Sequence, residues 1–448
     1  MDLLVRWVYL KASMNKNAET IYALSTARGK SALALIRISG PDACGIIRTI
    51  STNMPKNSNI ATLNEIRSEK GLTIDQTITT FFKSPKSFTG EDMVEIATHG
   101  SNAVIKKIFE IFSKNKKMRL ATPGEFTRRA FENNKLDLTQ VEAIADLVEA
   151  ETEMQRRQAI SHLSGNFFKS TKKIFDDLKE VLANIEAIID FTDEDLPPDL
   201  IIKIREQIKN IIIKINKILA NSSAGISLRE GFVVAILGKA NTGKSSFINN
   251  ISEKDISIVT NQPGTTRDLI ESFLDLEGYP VKFIDTAGIR ESGNLVEKIG
   301  VEKALLLAKE ADINLVFIEC KKDIVFFSDI KNTIFVKSKQ DVLGGAFKEG
   351  RSYNISSKNS FGIKELLSLL KKKIQDRVPL EMGHISRERH AKCLALTKKY
   401  LEDSQKNKNI DLFAEDVRLA LKNLSSLFGS VDIEDILDII FSDFCIGK

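Results

Sequence analysis

The spacing of apolar residues changes along this chain, and each change marks a different kind of element. Over residues 20–120, short apolar runs at 21–24, 32–38 and 93–97 have the length of strands. Stretches at 41–50 and 103–112 have helical period, and Gly29, Gly40, Pro85, Gly90 and Gly100 punctuate between them. The Pro-Gly-Glu-Phe run 123–126 reads as the start of a helix with Glu125 in its first turn, and 133–138 interrupts it. From 139 to 190 the period becomes three and four: Val141, Ile144, Ala145, Leu147 and Val148, then Ile174, Leu178, Val181, Leu182 and Ile185. Charges fill the other faces, which predicts long amphipathic helices, with a further one at 201–220 after Pro197-Pro198. At 232–237 the pattern turns into a solid apolar run of buried-strand length, followed by a helical segment at 246–251. Strand-like runs recur at 281–284, 313–319 and 333–336, and helical texture returns after 370 and lasts to the end.

This succession predicts an α/β N-terminal domain at 14–133 and a helical domain in two parts, 134–229 and 371–448. An α/β domain at 230–370 is inserted between them. Insertion at an exposed loop costs little when the inserted ends lie close together. Residues 1–13 fit none of these elements; Met14 reads as the natural start, with a short amphipathic anchor as the alternative.

A length of 448 residues agrees with about three domains. Hydrophobic (42%) and charged (28%) fractions are those of a soluble protein, no apolar run reaches membrane-spanning length, and no cleavable signal peptide is visible. Cys44, Cys320, Cys393 and Cys445 lie far apart without a CxxC pair, which fits a reducing cytoplasm and excludes a disulfide framework or a cysteine zinc site. A net charge of +5 permits contact with nucleic acid without arguing for it.

The chemistry concentrates after the 232–237 run. Residues 238–245 match G-x-x-x-x-G-K-[ST], in the strand–loop–helix context that makes a phosphate-binding loop. Gly238 and Gly243 let backbone N–H groups converge on phosphate oxygens, Lys244 reaches the β- and γ-phosphates, and the Ser245 hydroxyl is placed for Mg²⁺. Asn241, Thr242 and Ser246 belong to the same loop. Downstream, in Thr260-Asn261-Gln262-Pro263-Gly264-Thr265-Thr266, Thr266 is the second Mg²⁺ ligand and senses the γ-phosphate. A strand then ends in Asp285-Thr286-Ala287-Gly288; Asp285 holds Mg²⁺ through water and the Gly288 N–H meets the γ-phosphate. Losing that phosphate would release both segments. Ser338-Lys339-Gln340-Asp341 takes the place of the guanine-reading NKxD, with Asp341 as acceptor for the base and Ser338 where Asn is usual. Ser356, Ser357 and Lys358 fit the last base-contacting loop. These ordered motifs predict a Ras-like P-loop GTPase domain. Ile289 follows DTAG where a water-orienting Gln stands in Ras-like proteins, and no cis arginine finger is evident, so another positive charge must replace it. The terminal Cys445-Ile446-Gly447-Lys448 fits a prenylation box poorly.

These motifs, together with ARGKSALALIRISG, FTGEDMVEIATHG, NNKLDL and the FCIGK tail, closely resemble the tRNA modification GTPase family MnmE (TrmE) over residues 17–448. The resemblance implies a homodimer formed through a folate-binding N-terminal domain. It also implies a flavin-dependent MnmG-type partner in a heterotetramer, and an aminomethyl or carboxymethylaminomethyl group installed at C5 of the wobble uridine of certain tRNAs. Arg37, Glu95, Lys135 and Lys448 fall where the family contacts 5-formyltetrahydrofolate or a related reduced folate. Asn241, Thr260, Gln262 and Thr265 fall where it holds K⁺, whose charge would stand in for the arginine finger. Glu297 matches the acid that orients water. Cys445 matches a cysteine near the modification chemistry, or is a small buried hydrophobe. Ala240 replaces a usual proline. The motifs of the inserted domain alone leave a second reading open, a GTP-switched scaffold in ribosome or RNA assembly.

Overall fold

The computed structural model describes residues 19–190, 199–239, 241–252, 270–285, 304–343, 352–378, 385–429 and 447. The proposed start at Met14, the 1–13 leader, Pro197-Pro198 and most of the C-terminal motif lie outside them. The chain forms two compact units: residues 1–142 with 428–448, and residues 143–427.

In the first unit, β1 (Thr20–Leu24), β2 (Ser31–Ser39), β3 (Ala61–Arg67), β4 (Thr73–Phe82), β5 (Met93–Gly100) and β6 (Met118–Leu120) form a sheet in the order β3-β4-β5-β2-β1-β6. All neighbours are antiparallel except β1 and β6. Period-two alternation sorts the side chains. Tyr22, Ile36, Ile38, Val94 and Ile96 face the helices Ala43–Ile50 and Asn102–Lys114 in one core. There Tyr22 meets the edges of Phe109 and Phe112, with ring centroids 5.1 and 5.0 Å away. Ile21, Ala23 and Met93 point the other way, onto Ala121 and Phe126.

Glu125 does open a helix, Glu125–Glu132, and it also anchors a buried ion network. Both terminal guanidinium nitrogens of Arg119 donate to its carboxylate at 2.7 Å, Arg129 donates at 3.0 Å and the Thr122 N–H at 2.9 Å. Arg129 also reaches Glu91 at 2.9 Å, so the helix is tied to the 89–92 turn. Burial pushes the Glu125 carboxyl up, but the Arg119 hydrogen bonds, the Thr122 N–H and the Arg129 charge outweigh it and hold it at about 2. A depressed carboxylate contributes stability that is complete above its unfolded value and is lost as pH falls through the folded one. Glu125→Gln should therefore cost this unit about 3 kcal/mol at neutral pH, since it removes the carboxylate that the buried Arg129 and the more exposed Arg119 share. The deficit relative to wild type should shrink below about pH 4 and vanish near pH 2. Chemical denaturation across that range checks both.

The second unit joins a helical bundle to a second sheet. The stretch predicted as long helices over 139–190 is divided into Leu138–Glu149, Glu153–Leu163 and Asn166–Asp190. One break falls at Thr152, which N-caps the next helix in a reciprocal box with Gln155. Asn166–Asp190 packs with Leu200–Leu219 and Ile410–Ser425, and Glu388–Ser404 packs on both of these. Its buried positions, Phe167, Thr171, Ile174, Leu178, Val181 and Ile185, follow the helical period. Arg205 closes this return of the chain: its guanidinium lies 4.6 Å from the Phe413 ring centre and donates to the carbonyls of Gln405 and Asn407.

The second sheet contains β7 (Phe232–Gly238), β8 (Ile270–Leu276), β9 (Tyr279–Asp285), β10 (Ile313–Phe317), β11 (Thr333–Lys337) and β12 (Ser352–Asn354), in the order β12-β11-β10-β7-β9-β8. Every pairing is parallel except β8 with β9. Both faces are covered: Phe232, Val234 and Ile236 lie in one core with Phe247 and the helix Ile363–Gln375, and Leu237 lies in another with Ala308 and Val316. Asp312, just before β10, accepts from the Val233 N–H where the chain enters this sheet and from Arg377 where it leaves. It also accepts from Ser227 of helix Ser222–Glu230.

Candidate functional site

In an open parallel sheet, ligands bind beyond the carboxyl ends of the strands, where the strand order reverses. Here that point is β7, flanked by β9 and β10. The predicted residues gather there. Gly238 ends β7, Asp285 ends β9, and Ser338 and Ser356 follow β11 and β12.

The loop from Gly238 to Lys244 needs its glycines. Gly238 and Gly243 have φ +135° and +91°. A Cβ on the first would sit 2.4 Å from the Phe317 carbonyl oxygen, and one on the second 2.7 Å from Ser338 Oγ. Asn241 also takes a left-handed φ of +63°, and Thr242 Oγ1 donates to the Lys239 carbonyl at 2.8 Å. Lys244 begins the helix Lys244–Ser252 and is buried. Its ammonium donates to the carbonyls of Gly238 (2.8 Å) and Lys239 (2.6 Å), which hold the charge inside the loop. Ser245 Oγ donates to Asp285 Oδ2 at 3.1 Å, so the two predicted Mg²⁺-side oxygens meet. Both are the hard oxygen donors that Mg²⁺ takes, so the pair fits that ion.

At the other end of the site, a cleft of about 380 Å³ is lined by Gly243, Ser246, Asn249, Asn250, Ser338, Lys339, Asp341, Ser357 and Lys358. Ser356 donates to Asp341 Oδ1 at 2.7 Å and fixes that carboxylate. The Ser338 hydroxyl donates to the Thr242 carbonyl, so the residue standing where Asn is usual ties this loop to the phosphate loop. Asn249 and Asn250 carry no motif signal; only their position one to two turns into the helix that starts at Lys244 marks them.

In the first unit, Arg37 and Glu95 are register partners on neighbouring strands and form an ion pair at 2.8 Å. The guanidinium lies over Phe88 and Phe126, 5.4 and 5.8 Å from the ring centres. Lys135 donates to the Pro85 carbonyl at 3.0 Å, and its stem packs by Gly90. The loop that carries Phe88 thus meets Arg37 on one side and Lys135 on the other. The tail reaches this unit: Ser25 donates to the Gly447 carbonyl at 3.0 Å. His99 pairs with Asp75 at 2.7 Å on the surface. Ser39 bonds Thr89 and Glu91, both at 2.7 Å. Thr260 to Thr266, Thr286, Ala287, Gly288, Glu297, Cys445 and Lys448 lie outside the described residues.

The strand order, the phosphate loop at the switch point and the acid-bearing loop beside it define a P-loop nucleotide-binding protein with a Ras-like domain. Residues 20–135 match the family model of the GTP-binding protein TrmE N-terminus, and residues 138–445 match that of the MnmE helical domain. Similar proteins include the tRNA modification GTPase MnmE of Pelagibacter ubique, 42% identical over 443 residues, covering 96% of this chain and 100% of that protein. That of Roseobacter denitrificans is 38% identical over 435 residues, covering 96% and 100%. Among solved structures, the G domain of a T. maritima FeoB iron transporter covers 33% of this chain and 98% of its own, at 22% identity and a TM-score of 0.23, too weak a likeness to build on. The chain belongs to the MnmE family of tRNA modification GTPases. Among the described residues, no helix is long and apolar enough to cross a membrane.

Proposed function

We propose that this GTP hydrolase of tRNA modification uses its cycle, with a flavin-dependent MnmG-type partner, to install an aminomethyl or carboxymethylaminomethyl group at C5 of the wobble uridine. The observation that carries the reading is the convergence of Lys244, Ser245 and Asp285 beside a cleft that ends in Asp341, in a chain of this family.

In this reading Lys244 neutralises the β- and γ-phosphates, and Ser245 with Thr266 holds Mg²⁺, which offsets charge on the phosphate oxygens. Asp285 keeps the Ser245 hydroxyl oriented. Asp341, held by Ser356, accepts from the guanine N1–H and amine. Asn241, Thr260, Gln262 and Thr265 hold K⁺, and Glu297 orients the attacking water. The Arg37–Glu95 pair, Lys135 and Lys448 take the reduced folate. A carboxylate and a guanidinium beside Phe88 suit a pterin ring, and a lysine suits its glutamate tail. Cys445 acts near the modification chemistry, and the protein works as a cytoplasmic homodimer. Turnover measured by phosphate release should be at least about tenfold faster in potassium than in sodium, since the cation replaces an arginine finger. Equal rates in the two salts would remove the potassium site. The whole reading is tested by the C5 group on wobble uridine in cells with and without the gene.

A further inference from the structure

The helix Lys244–Ser252 carries the phosphate-binding lysine at its start, and about 9 Å further along its axis it carries Asn250. Asn250 Nδ2 donates to the Ser357 carbonyl at 2.7 Å and to Ser360 Oγ at 3.3 Å. These bonds reach across more than a hundred residues of sequence, to the loop after β12 that carries Ser356, Ser357 and Lys358. That loop is also held by the Ser356 N–H on the Phe361 carbonyl, the Ile355 N–H on the Lys337 carbonyl, the Gln340 N–H on the Ile355 carbonyl and the Ser356 hydroxyl on Asp341. None of these bonds ties it to the helix that begins at Lys244.

A second, independent observation points to a ligand here. Asn250 Oδ1 and Ser357 Oγ are buried with no hydrogen-bond partner among the described residues, and both residues line the cleft beside Asp341. A buried polar atom without a partner costs about 1–3 kcal/mol, so an acceptor and a hydroxyl kept in that condition mark a place that something else completes.

We infer that Asn250 is a positioning residue for base recognition: it locks the Ser356–Lys358 loop to the helix that begins at Lys244. The distance between the phosphate and base subsites is then set by one rigid element. The inference rests on the guanine-nucleotide reading of the site and deepens it. Asn250 touches neither the phosphates nor the water in this account. Its loss should therefore appear in KM and in base selectivity and leave kcat largely intact. A base that lacks one guanine substituent should lose least when the loop is loosened, because it has less to lose.

The test uses the full chain in three forms: wild type, Asn250→Ala, and Asn250→Asp. The last keeps size and shape but replaces the donor to the Ser357 carbonyl with an oxygen. Affinities for GDP, IDP and ADP are measured by displacement of a fluorescent guanine nucleotide, alongside steady-state GTP hydrolysis. Both variants should weaken GDP roughly ten- to a hundredfold, the range expected from losing a buried hydrogen bond and stranding its partner. The GDP-over-IDP and GDP-over-ADP ratios should fall, and kcat should stay within about threefold. A parallel loss for all three nucleotides with ratios unchanged would mean a merely structural role and overturn the inference, as would wild-type affinity in Asn250→Asp. If wild-type protein itself fails to prefer GDP over ADP, the guanine reading falls and takes this inference with it, a result distinct from a failure confined to the variants.

Discussion

Lys244→Ala is expected to lower GTP turnover by at least about 10²–10³-fold, the loss typical when one preorganised charge aimed at a reacting group is removed. The ammonium is buried, begins its helix and is bonded to the carbonyls of Gly238 and Lys239. Nothing else among the described residues of the 238–245 loop supplies a cation inside it; Lys239 turns outward to Asp323 at 2.7 Å. The apolar core of the sheet does not include Lys244, so the variant should fold, with a thermal midpoint close to wild type. Lys244→Arg should rescue little, because a planar fork does not replace a compact ammonium held by two carbonyls. Phosphate release and nucleotide affinity, measured together, check this. Turnover within threefold of wild type would remove Lys244 from the site.

The next largest effect is expected at Glu95. Glu95→Ala should weaken binding of 5-formyltetrahydrofolate at least about tenfold, because Arg37 loses the partner that sets its orientation. The guanidinium would keep its place over Phe88 and Phe126, so the unit should remain folded. GTP turnover should stay within twofold of wild type, since Glu95 lies in the other compact unit. Isothermal titration with the folate, set beside GTP hydrolysis, separates the two. Unchanged folate binding would place the ligand elsewhere.

Much of this could be read from the chain because the physics is local. β7 is covered on both faces, so it appears as a solid apolar run. The phosphate loop announces itself because its backbone needs glycine at 238 and 243. β3 and β4 went unread for the opposite reason: ATLNEIR and TIDQTITTFF mix polar and apolar residues, with Leu63 and Ile78 left exposed. β6 has three residues, too few for any period. The boundaries between the helices of 139–190 are hidden in the sequence because apolar spacing survives the break that the Thr152 cap introduces. Non-local pairings were the least legible. Arg129 reaches back to Glu91, the asparagine at 250 finds its partners beyond 356, and Ser338 acts on Thr242. Each depends on how the sheets bring distant loops together, which no short window contains. Ser338 illustrates the gain: in sequence it only stands where Asn is usual, whereas in place it braces two loops of one site.

The most direct test of the central claim is nucleoside mass spectrometry of tRNA from cells lacking this gene, rescued with wild type, Lys244→Ala or Cys445→Ser. C5-modified wobble uridine is expected to disappear without the gene, to return with wild type and not to return with Lys244→Ala. Restoration by Cys445→Ser would reduce that cysteine to packing and leave the pathway standing. Unchanged wobble uridine in cells without the gene would contradict the account and leave a GTP-switched scaffold in its place.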